Sequence, residues 1–249
     1  PPDPGPRGRV VYAGDRSHSP VTDDLAAGLR AIAARATADD HVLAKVGDSI
    51  TVSTSFLHCF AGTRVDLAGR TALQATIDWF AAGDAGGTDP FTRTSLAATV
   101  GWSASAALAG APSPLDAEIS AVTPRYASVM FGTNDAGFRT PFAFGENMLD
   151  ITDRLIAAGA VPILSTIPPR DDNAAADANV LVFNLVVRGI AEGRGVPLVD
   201  LHREMLPLPG HGLGGDGVHP STSTAGACAF TTLALEEGYN VRNLLVLEA

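Results

Sequence analysis

Val42-Leu43-Ala44-Lys45-Val46-Gly47-Asp48-Ser49 is the stretch that decides the fold. The apolar run is too short for a helix and reads as a strand buried on both faces. Gly47 and Asp48 then mark the point where that strand gives way to a helix, and a serine at such a junction is presented at the carboxyl edge of a sheet. Similar short runs follow at residues 95–100, 126–131, 161–165 and 196–199, each bounded by Gly, Pro or Asp. Five strands are therefore predicted.

Helical patterns alternate with these runs. Residues 22–38 carry Leu25, Leu29 and Ile32 at helical spacing, with Asp23 and Asp24 in the first turn, where the helix dipole favours anions. Alanine-rich stretches at 72–82, 115–121, 144–158 and 174–192 read as further helices, and 222–237 as the final one. Such alternation implies an α/β fold, a three-layer α/β/α arrangement around a five-stranded parallel sheet. In open sheets of this kind, ligands bind beyond the carboxyl ends of the strands. Ser49 follows the first predicted strand, Gly101 the second, Asn134 the third, and His219 lies beyond the fifth, so all four fall at one edge.

The chain has 249 residues, of which 46% are hydrophobic, enough for a sizeable core. A Pro/Gly-rich N-terminal segment is expected over residues 1–20, with 1–8 read as a linker, and a single domain over 21–249. The net charge of −10, with the basic residues scattered, leaves no face for a phosphate backbone, so nucleic acid is not expected as a partner. No membrane span is expected either. Cys59 and Cys228 are the only cysteines, each about ten residues past a proposed catalytic residue, and a disulfide between them is expected beside the alternative of two buried thiols. A secreted, periplasmic or surface-anchored location is expected, with the cytoplasm left open.

Acyl transfer needs a nucleophile, a base, a group that orients the base, and donors for the oxyanion. Ser49 suits the nucleophile, although a serine there also serves as a helix cap. His219 suits the base, because imidazole ordinarily titrates close to neutrality. Among six histidines it alone combines a carboxylate three residues earlier, Asp216, with a glycine-rich approach. Asp216 would orient the ring, a task a backbone carbonyl can also perform. The Ser49 N–H, the Gly101 N–H and the Asn134 amide are the candidate oxyanion donors. Trp79, Trp102, Phe91 and Arg170 are candidates to line an acyl or sugar subsite. No zinc spacing, nucleotide-binding glycine motif or Gly-Xaa-Ser-Xaa-Gly elbow is present, so neither a metal nor a cofactor is expected.

Gly47-Asp48-Ser49, Gly101, Gly132-Thr133-Asn134-Asp135 and Asp216-Gly217-Val218-His219 resemble, in order, the four sequence blocks of the SGNH hydrolases, also called the GDSL esterase and lipase family. The run Leu164-Ser165-Thr166-Ile167-Pro168-Pro169 is similar to that family's fourth strand and its exit. The resemblance implies a flavodoxin-like sheet and a metal-free serine hydrolase, and the function expected first is hydrolysis of short-chain acyl or acetyl esters, of a small molecule or of a carbohydrate, through an acyl-Ser49 intermediate. Two departures stand out. The second block reads Gly101-Trp102-Ser103-Ala104 where many members have Gly-Xaa-Ser-Gly, and the stretch between Ser49 and Gly101 is long, with a glycine-rich piece at 83–89. An O-acyltransferase would use the same residues, and a non-catalytic binding module would keep the same fold.

Overall fold

The computed structural model describes residues 12–249. Four strands, β1 (Asp39–Gly47), β2 (Pro124–Met130), β3 (Val161–Ser165) and β4 (Leu198–Val199), form one parallel sheet in the order β1-β2-β3-β4. Val42 to Gly47 are all buried, which is why β1 reads as a continuous apolar run instead of an alternating one. The expected second strand at 95–100 is reduced to one parallel bridge, Ala98 to Gly47, with Gly47 N–H donating to Ala97 O and Thr99 N–H to Gly47 O. Pairing stops there because the chain turns at Gly101, whose φ of 77° lies in the left-handed region. The sheet is thus four-stranded, with a one-residue extension outside β1.

The helices start where their caps are. α1 (Asp23–Ala33) begins after Thr22, whose hydroxyl accepts from Leu25 N–H, and it buries Leu25 and Ile32. α2 (Ser49–Val52) is a single turn, and α3 (Gln74–Ala81) follows a short 3₁₀ turn at Thr71–Leu73. α4 (Pro114–Val122) and α5 (Pro141–Ala157) each open with proline after a capping Ser113 or Thr140, a combination in which the missing N–H costs nothing. Asn173 caps α6 (Ala174–Arg194). α3 and α4 contact β1, whereas α1, α5 and α6 contact β3. By length and composition alone α6 is long and apolar enough to cross a membrane, but Val180, Phe183, Val187 and Ile190 turn one of its faces into the core.

One expectation needs correction at the C-terminal end. Residues 222–237 are not a helix but turns with a 3₁₀ turn at Ala234–Glu236, because Asn240 takes the carbonyls of Gly226 and Ala229 and Asp66 bridges to Ala229. After the short α7 (Leu201–Met205), the final helix is α8 (Gly238–Glu248), buried from Gly238 through Leu247. At the other end, the linker read at 1–8 lies outside the described residues. Residues 12–20 run along the body: Tyr12 is buried with its hydroxyl donating to Val196 O, and His18 bridges to Val199.

Candidate active site

The turn between β1 and α2 leaves no room for side chains except where it needs them. A Cβ on Gly47 would lie 2.2 Å from Thr51 Oγ1 and 2.6 Å from Met130 O, so glycine alone fits. Asp48 caps α2, its Oδ1 accepting from Ile50 N–H at 3.1 Å, which fixes Ser49 as the first helical residue. From behind, Arg242 of α8 donates to Ile50 O at 2.7 Å and to Thr51 Oγ1 at 2.9 Å, its guanidinium stacked 3.6 Å over the Phe56 ring. The turn is held at both ends.

The Ser49 hydroxyl donates to His219 Nε2 at 2.8 Å, and His219 Nδ1 lies 2.6 Å from Asp216 Oδ2. The other carboxylate oxygen of Asp216 accepts from the Val218 and His219 N–H groups, both at 3.0 Å. One aspartate therefore shapes the turn and carries the imidazole. Those two backbone bonds, Val218 first, together with His219 draw the Asp216 carboxyl down to about 2, so it is ionised throughout the working range of an imidazole base. Ser49 and His219 are half-buried, leaving the hydroxyl reachable from solvent.

Asn134 follows β2, and its amide Nδ2 donates to Trp102 O at 2.9 Å, tying the Asn134 loop to the Gly101 loop and leaving a second amide proton. Asp135 reinforces the tie by accepting from Ala104 N–H at 3.1 Å. Arg170, beyond β3, donates through its guanidinium to Thr133 O while its other nitrogens grip Asp172 at 2.7 and 2.8 Å. Arg170 thus fastens the residue next to Asn134. Nothing in the linear pattern pointed to that task.

Two carboxylates at this edge pay for their positions in lost hydration. Asp48 and Asp135 are fully buried, and burial pushes each up to about 6 against the pull of their backbone donors. Asp48 Oδ2 and Thr133 Oγ1 are buried with no hydrogen-bond partner among the described residues.

Other sequence candidates lie elsewhere. Phe91 is a core residue, packed against Phe60 and Phe80. Trp79 stacks on His41 and donates to Asp40 O, at the amino end of β1 and so at the wrong edge for a subsite. Trp102 is half-buried and meets the site through its carbonyl. Cys59 and Cys228 are joined, with Cα atoms 5.7 Å apart, and so link the chain downstream of Ser49 to that downstream of His219. A second pair absent from the sequence reading, His211 Nδ1 with Asp171 at 2.9 Å, stands beside the His219 loop, where Asp171 N–H donates to Gly217 O. Among the described residues no group of three His, Cys, Asp or Glu side chains is arranged to hold a metal.

Comparison with solved structures finds the same fold at low identity. The lipase/acylhydrolase from Enterococcus faecalis is 19% identical, with a TM-score of 0.51 over 83% of this chain and 93% of that one. A protein described as a putative lipolytic protein of the G-D-S-L family from Desulfitobacterium hafniense DCB-2 is 13% identical, with a TM-score of 0.54 over 84% and 99%. An acetyl esterase variant solved with acetate ion is 17% identical, with a TM-score of 0.53 over 83% and 96%. No curated protein sequence matches. The profile of the GDSL-like Lipase/Acylhydrolase family matches residues 46–225, a span holding every residue of the Ser49, Asn134, Asp216 and His219 constellation, and the chain belongs to that family.

Proposed function

We propose that this enzyme is a serine hydrolase of short-chain acyl or acetyl esters, including esters carried on carbohydrate, working through an acyl-Ser49 intermediate. The observation that carries the reading is the unbroken chain from Ser49 Oγ through both nitrogens of His219 to Asp216, with links of 2.8 and 2.6 Å.

In this mechanism His219 Nε2 takes the Ser49 proton as Oγ attacks the ester carbonyl. The Nδ1–H then points at Asp216, whose charge stabilises the imidazolium. The oxyanion receives N–H groups from Ser49 and Gly101 and the free amide proton of Asn134, each such donor contributing about 2.7–4 kcal/mol to lowering the barrier. Collapse expels the alcohol, which leaves with the proton from His219. Water then repeats the cycle on the acyl enzyme, with His219 again taking and returning the proton, and releases the carboxylic acid.

An oxidising compartment is the proposed setting, since the Cys59–Cys228 bond persists where thiols are not kept reduced. The test of the whole reading is turnover of p-nitrophenyl acetate near pH 8 by the wild type and by Ser49→Ala. A loss of at least about a hundredfold supports the acyl-Ser49 route, and equal rates overturn it.

A further inference from the structure

Of the seventeen Lys and Arg residues in this chain, sixteen are arginine and one is lysine, and the lysine is buried. Lys45 projects from β1 two residues before Gly47 and is only 3% exposed. Its ammonium donates to Phe91 O at 2.8 Å and lies 3.3 Å from His58 Nε2. An ammonium has no lone pair, so Nε2 must be the acceptor and the His58 ring carries its proton on Nδ1. Burial and then the neighbouring Lys45 push His58 down to about 4, so the imidazole is no counter-ion.

No carboxylate approaches the Lys45 ammonium within 4 Å among the described residues, although eight arginine–carboxylate pairs there meet that measure. The two acids whose charge it feels, Glu118 and Asp89, are engaged elsewhere. Glu118 is gripped by Arg93 and by Leu96 N–H, and Asp89 accepts from Phe91 N–H. Arg93 is therefore neutralised and Lys45 is not. The third ammonium proton has no acceptor among the described residues, and Lys45 lines a cavity of about 130 Å³ with Thr51, Thr54, His58, Arg93 and Ser95. That is room for about four waters at liquid density, or for one small ligand.

A buried cation without a counter-charge is costly unless something pairs it or it gives up its proton; burial pushes Lys45 down to about 8, so at neutral pH it is still charged and still lacks a partner. We propose that this cavity is a binding site for a small oxyanion, a carboxylate or a sulfate-like group, whose charge pairs with Lys45 and whose oxygens meet the Thr51, Thr54 and Ser95 hydroxyls. The site is separate from the Ser49 centre but adjoins its scaffold. Thr51 belongs to the one-turn helix that Ser49 begins, and Ala98, also on the cavity wall, is the residue bridged to Gly47. The oxyanion has two possible sources, a free ion or an acidic group on the ester substrate.

The single lysine makes the site directly readable. Reductive methylation of the native protein with formaldehyde and cyanoborohydride, followed by peptide mass spectrometry, reports Lys45 apart from the terminal amine. Labelling in sodium sulfate or sodium acetate is compared with labelling in sodium chloride at equal ionic strength, in the wild type and in Ser49→Ala. Saturable slowing of Lys45 labelling by at least about tenfold, the same in both proteins, is the expected result. Equal labelling in all salts overturns the proposal. So does a native Lys45 that never labels while the urea-unfolded chain does, because no ligand could then reach it. Protection lost in Ser49→Ala overturns it as well, by assigning the anion to the catalytic centre. The source is read from kcat/KM for a p-nitrophenyl hemisuccinate against the acetate ester in the wild type and Lys45→Met. A tenfold fall confined to the hemisuccinate assigns the oxyanion to the substrate, and an unchanged ratio with protection intact in the wild type assigns it to a free ion.

Discussion

Asp216 touches His219 twice and Val218 once within one turn: Oδ2 at the ring Nδ1, 2.6 Å away, and Oδ1 at the His219 and Val218 N–H groups, 3.0 Å each. The proposed orienting carboxylate and the proposed base are therefore one local unit. Asp216→Asn preserves an acceptor for the backbone but can present N–H to Nδ1 and select the wrong tautomer. We expect kcat to fall by at least about a hundredfold with KM little changed, as for tautomer defects in other triads. Thermal unfolding should barely move, since the turn survives.

Arg170 holds the Thr133 carbonyl and so the backbone from which Asn134 projects. Arg170→Met should lower kcat about ten- to a hundredfold through a displaced oxyanion donor. Arg170→Lys, which cannot span Thr133 O and grip Asp172 with a fork at the same time, should recover only part of it. Equal kcat in all three proteins would remove Arg170 from this role.

Asp135 titrates near 6 in the folded protein, against about 3.9 for an unfolded aspartate. Below about pH 4 both states hold the proton and the group is silent. Between about pH 4 and 6 unfolding releases a proton, so wild-type stability falls as pH rises, and above 6 the full cost stands. Asp135→Asn keeps an acceptor for Ala104 N–H and removes the charge. It should gain about 1 kcal/mol at pH 8, below the ceiling of about 3 kcal/mol set by raising an aspartate from about 3.9 to about 6, and nothing at pH 4. Denaturant melts at the two pH values check this.

The Cys59–Cys228 bond spans 169 residues. Replacing both by serine should cost about 2–5 kcal/mol in denaturant unfolding. The native protein should react with no thiol reagent before reduction.

The parts of the site that were legible in the sequence are those that are local in the chain. Ser49 is announced by the strand before it, and Asp216 and His219 by their spacing, because each is fixed by its own turn. The sequence offers Arg170 only as a subsite candidate, since its target, Thr133 O, is 37 residues away and lies on the backbone. α8 is hidden in the sequence for a different reason. Its buried residues include Asn240, Arg242 and Asn243, so polar side chains sit where a helical pattern requires apolar ones. Residues 95–100 have the composition of a full strand, but composition does not reveal that the turn at Gly101 ends their pairing after one residue.

Those same polar residues make α8 a keystone. Tyr239 and Arg242 hold Ile50 O, Asn243 holds Ser55 and Leu57, and Asn240 holds Ser223, Gly226 and Ala229. A nascent chain on the ribosome with everything through His219 already synthesised still lacks every one of these ties. The helix that brings no atom to the Ser49–His219–Asp216 chain is thus the one that ties the Ser49 turn to the segment beyond His219.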